Sequence, residues 1–396
     1  MMKKVYLDHA ATTPLDERVL KAMEPFLTEN FGNPSSFHTP GRIAKEALDE
    51  ARRSVAGVLK CRSDEIIFTS GGTEADNLAI LGFARKNKDK GTHIISTTVE
   101  HPAVMEPLRQ LEKEGFEITY LPVDKYGLIS PEQVEEALRP DTILVSVIYA
   151  NNEIGTINPI AEIGNVIDKH KKNNLPAFHS DACQAVGALT VEVEKLHLDL
   201  MTINASKIYG PKGNGALYVK RGIKLQSLQF GGHQEKRIRP GTENPAGIIG
   251  FAEAVKIAEQ MRERESARLI KLRDYFIDEI KKRVPKTRLN GHPVQRLPNN
   301  INISFMDIEG EALSLYLDAK GVYVSTGSAC TSASLDPSHV IIALGLPYEV
   351  AHGSIRFTLG RKTTKEDLDY VLDVLPPLVE KLRLMSPVNV DEKYFE

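Results

Sequence analysis

At 396 residues the chain exceeds what one hydrophobic core usually organises, so a large domain with a smaller companion is expected. Its 41% hydrophobic and 26% charged content is ordinary for a globular protein, and no run approaches the ~20 apolar residues that span a bilayer. A formal net charge of -3 gives no electrostatic case for nucleic acid as the main ligand.

The opening stretch, MMKKVYLDHAATTP, turns polar directly after two lysines and does not read as a secretory signal, so a cytoplasmic location is expected. Between about residues 40 and 220, helical periodicity alternates with short apolar runs, the pattern of an α/β domain with a mainly parallel sheet. Gly41 to Leu59 carries Ile43, Ala47, Leu48, Ala51, Val55 and Val58 at helical spacing. Ile66-Ile67-Phe68, Ile94-Ile95, Ile143 to Ile148 and Leu217-Tyr218-Val219 read as buried strands. Met261 to Val284 is a charged amphipathic helix that marks the passage into a second, α+β domain. There, Asn302 to Phe305 and Val322 to Val324 alternate like half-buried strands, and Lys365 to Leu384 predicts a closing helix interrupted at Pro376-Pro377.

Ligands of α/β sheets bind where strands give way to loops, and polar clusters follow several of these strands. Ser70-Gly71-Gly72-Thr73-Glu74 offers free N–H groups at a helix start, which suits a phosphate; a tight turn with Thr73 as helix cap explains the same residues. Glu100-His101-Pro102 sets an imidazole at a strand end, and Asn151-Asn152-Glu153 sets two amides at another, where turn chemistry serves as well. Asp181 and Gln184 stand three positions apart and can face one ligand; an anion there is what keeps a pyridine cofactor protonated, although an Asp also caps helices. Lys207, in Asn204-Ala205-Ser206-Lys207, is a candidate Schiff-base lysine among small residues. Three cysteines, Cys61, Cys183 and Cys330, are too few and scattered for a disulfide framework or a zinc site. Cys330 lies among small residues, Ser325 to Ser334, a segment expected to be mobile and exposed, whereas Cys61 and Cys183 adjoin apolar elements as core filler.

Together with Tyr6-Leu7-Asp8-His9-Ala10-Ala11-Thr12-Thr13-Pro14, Phe31-Gly32-Asn33-Pro34-Ser35-Ser36, Arg239-Pro240-Gly241-Thr242-Glu243-Asn244 and Ser354-Ile355-Arg356-Phe357, these segments resemble the NifS/IscS group of cysteine desulfurases. That group belongs to the class V aminotransferases within the fold-type I pyridoxal-phosphate enzymes. The resemblance implies a large cofactor domain with a mainly parallel seven-stranded sheet over residues 15–260. It implies a smaller α+β domain, residues 1–14 and 261–396, that carries the cysteine loop at about 325–335. It implies that Lys207 holds pyridoxal 5'-phosphate, Asp181 its ring nitrogen and Gln184 its ring hydroxyl, with His101 stacked on the ring as catalytic proton relay. Gly72, Thr73, Asn204 and Ser206 fall at the phosphate site, Thr242 at a position lent to a neighbour across a homodimer, Asn152 beside substrate and cofactor, and Arg356 at the substrate carboxylate.

By the same resemblance Cys330 accepts the sulfur of L-cysteine as a persulfide, alanine leaves, and an IscU-type iron–sulfur scaffold or a tRNA-thiolation protein takes the sulfur. No resident metal is implied, Cys330 being at most a transient iron–sulfur ligand, and neither nucleic acid nor membrane is a direct partner. The segment before Lys207 departs from the group's usual Ser-x-His-Lys, because Asn204 and Ser206 replace serine and histidine, though both can still hydrogen-bond a phosphate. Those replacements are the only support for a non-catalytic cofactor-binding scaffold; a selenocysteine lyase or an aminotransferase shares the site, and the Cys330 loop argues against both.

Overall fold

The computed structural model describes residues 3–327 and 337–395. In chain order its strands are β1 (Val5–Tyr6), β2 (Ile66–Thr69), β3 (His93–Thr97), β4 (Glu117–Leu121), β5 (Thr142–Ser146), β6 (Ala177–Asp181), β7 (Leu200–Asn204), β8 (Gly215–Val219), β9 (Thr287–Leu289), β10 (Asn300–Phe305), β11 (Val322–Tyr323), β12 (Ser325–Thr326) and β13 (Ser354–Thr358). Seven of them form one sheet in the order β2-β8-β7-β6-β5-β3-β4. All neighbours are parallel except β8, which runs against both β2 and β7.

This sheet is covered on both faces, which explains why its strands read as apolar runs rather than as alternating ones. Successive side chains divide between two cores. Phe68, Ile95, Phe178, Met201 and Tyr218 face the core shared with the helices Thr39–Leu59 and Ile160–His170 and the start of the helix Pro245–Arg283. Their neighbours Ile67, Ile94, Ala177, Leu200 and Leu217 face a second core beneath the helix Pro102–Lys113 and the segment Gly72–Lys86.

A further sheet, β12-β13-β10-β9, builds a separate core with the helices Gly310–Asp318 and Lys365–Met385. The 39-residue helix Pro245–Arg283 joins the two regions: Phe251, Val255 and Ala258 pack on the large sheet, whereas Leu269, Phe276 and Ile280 pack on the small one. It begins well before Met261, where the sequence placed it. Asn244 caps it by accepting the Gly247 N–H at 3.1 Å, and the first turns are buried all round, so they lack the polar face by which a sequence betrays a surface helix.

Two other expectations are corrected. The closing helix continues through Pro376-Pro377, because Leu372, Leu375, Val379 and Leu382 are buried on both sides of the lost hydrogen bonds and tertiary packing holds the turn. Strand β10 does alternate apolar and polar, yet all of it is buried. Ile301, Ile303 and Phe305 face the small core, while Asn300 and Asn302 donate to the backbone carbonyls of Asn152 and Glu153 at 3.4 and 3.2 Å. The polar face therefore meets the strand-end turn of the large sheet instead of water.

Among the described residues no helix is long and apolar enough to cross a membrane. Phe276, fully buried and edge-on to Phe357 at 5.3 Å, is the centre of the small core. Phe276→Ala is expected to cost about 3–5 kcal/mol in chemical denaturation of that region; a loss below about 1 kcal/mol would show that this packing is unimportant.

Candidate active site

Strands β2, β3, β5, β6 and β7 run in one direction, so the loops after them gather at one edge of the sheet. A cavity of about 510 Å³ opens there, within the range of small-molecule sites. Gly72, Thr73, His101, Asn152, Asp181, Gln184, Asn204, Ser206, Lys207 and Arg356 all line it. The N-terminal segment closes one side. Thr13 Oγ1 donates to the Ser206 carbonyl at 2.9 Å, Gln184 Nε2 donates to that of Ala10 at 3.0 Å, and Lys207 Nζ donates to that of Ala11 at 2.6 Å.

Asp181 ends β6 with its carboxylate nearly buried, accepting the Cys183 N–H at 2.9 Å. Two further acids lie behind it. Burial and the charge of Asp181 raise the Asp76 carboxyl well above the usual range. Burial pushes Glu100 up to about 8, against hydrogen bonds from the Ile148 N–H and the Thr97 hydroxyl, both at 2.8 Å. Glu100 is therefore mostly protonated at neutral pH, and burial beside Asp181 disfavours the charged form of Asp76. The adjoining His179 is pushed down to about 4 by burial, and its ring nitrogens bond the hydroxyls of Ser146 and Thr202 at 2.9 and 3.2 Å.

His101 is likewise held below the usual imidazole range, chiefly by burial. Its Nδ1 accepts the Ala103 N–H at 3.0 Å, so the neutral ring carries its proton on Nε2. A second imidazole, His339, lines the same cavity and bonds the Glu100 carbonyl through Nε2 at 3.0 Å. Sequence reading missed it because its neighbours carry no strand-end signal.

Arg356 on β13 is buried and held in place by two acceptors, the Asn152 carbonyl and Asp8 Oδ1, each at 3.0 Å. Its Nε has no partner among the described residues. Thr242 is exposed and does not line the cavity, and Cys330 lies outside the described residues. Gly327, three positions before Cys330, stands in the cavity wall.

The donor set fits pyridoxal phosphate. The lining supplies an amine, a carboxylate and an imidazole together with the glycine-bearing loop Ser70-Gly71-Gly72-Thr73. Gly71 adopts a φ of +152°, which a side chain would resist, and a Cβ on Gly72 would come within 2.9 Å of Cys183 Sγ, so this loop must stay bare. Thr73 follows Gly72 inside the helix rather than capping it; the cap position is Gly71. Glu74, which would repel a phosphate, is committed to Arg239 at 2.9 Å and to the Ser70 N–H at 2.5 Å. Asn204 Oδ1 is buried with no partner among the described residues, and its amide nitrogen is the group able to donate to a phosphate oxygen.

The family model of class V aminotransferases matches residues 5–371. The chain is 55% identical to a cysteine desulfurase IscS of Dictyoglomus turgidum over 99% of both chains. Among solved structures, a NifS-like protein superposes with a TM-score of 0.90 at 36% identity, covering 96% of this chain and all of that one. A structure described as SspA in complex with cysteine superposes with a TM-score of 0.80 at 35% identity, covering 90% of this chain and 99% of that one. The chain therefore belongs to the class V aminotransferase family of pyridoxal-phosphate enzymes, in the IscS/NifS group of cysteine desulfurases.

Proposed function

We propose that this chain is a cysteine desulfurase that takes sulfur from L-cysteine, releases L-alanine and holds the sulfur as a persulfide on Cys330. The observation that carries this reading is the convergence of Lys207, Asp181, His101 and Arg356 on one cavity. The cysteine in the similar SspA structure supports the choice of substrate. Residues 15–260 form the cofactor-bearing domain, and residues 1–14 with 261–396 form the smaller one.

Pyridoxal phosphate, when bound, supplies the electron sink that makes the α-proton of an amino acid labile. Lys207 holds the cofactor, Asp181 its ring nitrogen and Gln184 its ring hydroxyl, while Gly72, Thr73, Asn204 and Ser206 hold the phosphate. The Arg356 fork binds the substrate carboxylate beside Asn152, a role suited to its planar geometry. Lys207 Nζ moves the α-proton, and His101, with its proton on Nε2, relays protons at the substrate. The Cys330 thiolate attacks the substrate sulfur: an S–S bond forms, the C–S bond breaks, and the carbon skeleton takes up a proton to leave as alanine. No outside oxidant is needed, since one thiol and L-cysteine become one persulfide and alanine.

Burial disfavours the charged forms of Asp76 and Glu100 behind Asp181, so neither acid competes with it for the ring nitrogen. The persulfide passes to an acceptor, an IscU-type scaffold or a tRNA-thiolation protein, in a reducing compartment such as the cytoplasm. Thr242, exposed and outside its own chain's cavity, completes the phosphate site of a second copy in a homodimer. A monomer in solution that binds the cofactor fully would contradict this assembly.

Cys330→Ser is expected to keep the visible absorbance of the bound cofactor and to form no alanine from L-cysteine; alanine at the wild-type rate would exclude Cys330 as acceptor. A second expectation concerns Glu100, whose folded pKa of about 8 lies above its unfolded value of about 4.3. Its stabilisation is therefore full below about pH 4 and is lost as pH rises through about 8. The melting temperature of the wild type, relative to Glu100→Gln, should fall across that interval. A constant difference would mean that Glu100 is already ionised at neutral pH.

A further inference from the structure

Glu153 has no part in the roles assigned so far, yet its surroundings are unusually constrained. It follows Asn152 in the turn after β5, and its backbone is fixed on both sides. Its N–H donates to Asn151 Oδ1 at 2.9 Å, and its carbonyl accepts from Asn302 Nδ2 at 3.2 Å. The side chain is only 5% exposed. Its Oε2 accepts the Ser338 hydroxyl at 2.5 Å. A Cβ built on Gly327 would come within 2.7 Å of the same oxygen and 3.3 Å of Ser338 Cβ. Gly327 and Ser338 therefore stand side by side on one carboxyl oxygen, and the sequence between them contains Cys330.

The Ser338 end is fixed further. Its Oγ caps the following helix by accepting the Ile341 N–H at 3.2 Å, and the next residue, His339, bonds the Glu100 carbonyl. A buried carboxyl is an expensive way to fill space, and an apolar side chain would pack there at lower cost. Burial pushes Glu153 up to about 7, against the Ser338 bond and the charge of Arg356, so the group is held between its two protonation states.

We propose that Glu153 is a positioning residue for sulfur transfer: by accepting the Ser338 hydroxyl against Gly327, it fixes the two points from which the Cys330 segment departs and to which it returns. The distance from those points to a substrate held at Arg356 is then set by the same turn whose Asn152 carbonyl orients the guanidinium. This rests on the reading of Cys330 as sulfur acceptor.

The test compares the cofactor-loaded wild type with Glu153→Ala, Ser338→Ala and Glu153→Gln. Two quantities are read: alanine formation from L-cysteine, and the rate at which iodoacetamide alkylates Cys330 without substrate, followed by peptide mapping. Removing either partner of the bond should lower kcat about 10-fold, leave KM for L-cysteine within about twofold, and change the alkylation rate several-fold. Glu153→Gln, whose amide oxygen still accepts the Ser338 bond, should restore both. Wild-type kcat and alkylation in Glu153→Ala would overturn the proposal, as would a loss of activity that merely follows a lower melting temperature with Cys330 reactivity unchanged. If Glu153→Ala does not fold, Ser338→Ala removes the same bond and decides the matter on both scales. Because alkylation needs no substrate, a wild type that forms no alanine would refute the desulfurase reading while the alkylation rates still judge the role of Glu153.

Discussion

Arg356 is buried, and the shape of the cavity depends on how its charge is satisfied. Its two partners come from distant parts of the chain: Asp8 from the N-terminal segment, and the Asn152 carbonyl from the turn after β5. The arginine itself sits on β13, in the small sheet. One guanidinium thus pins together the N-terminal segment, the large sheet and the small sheet at the lining of the cavity. Leaving such a cation unpaired would be strongly destabilising, so the three parts are obliged to meet there. The polar face of β10 reinforces the same junction through Asn300 and Asn302.

Within that frame the electrostatics are arranged by burial more than by pairing. Burial raises Asp76 and pushes Glu100 up to about 8, and it pushes His179 down to about 4, so the neutral form of each is favoured beside Asp181. A protonated pyridine needs one well-placed anion, and several anions would repel one another and lose protons in coupled steps. His101 follows the same logic: burial keeps it neutral, and the Ala103 N–H fixes which nitrogen holds the proton.

Much of this was legible in the sequence, for a physical reason. Lys207, Asp181, His101 and Asn152 each follow an apolar run, and a parallel sheet brings such positions to one edge whatever the details of packing. The apolar runs of the large sheet were equally plain, because both of its faces are covered. Contacts made across long stretches of sequence were not legible. Nothing local announces that Asp8 pairs with Arg356 or that Glu153 holds Ser338. Glu100 was visible only as the neighbour of His101, since its neutrality depends on burial that no short motif records. The errors in the helices have the same origin. The start of the helix Pro245–Arg283 has no amphipathic signature because it is buried all round, and Pro376-Pro377 fail to break the last helix because the small core holds both sides of it.

The central claim is that this cavity delivers the sulfur of L-cysteine to one particular thiol. It is tested most directly by mixing the cofactor-loaded protein with one equivalent of sulfur-labelled L-cysteine, quenching after a single turnover, and mapping the label by mass spectrometry without reductant. The account predicts label on the peptide that contains Cys330, as one added sulfur atom, in step with alanine release. Label on the peptides of Cys61 or Cys183, or alanine released with no labelled thiol, would contradict it.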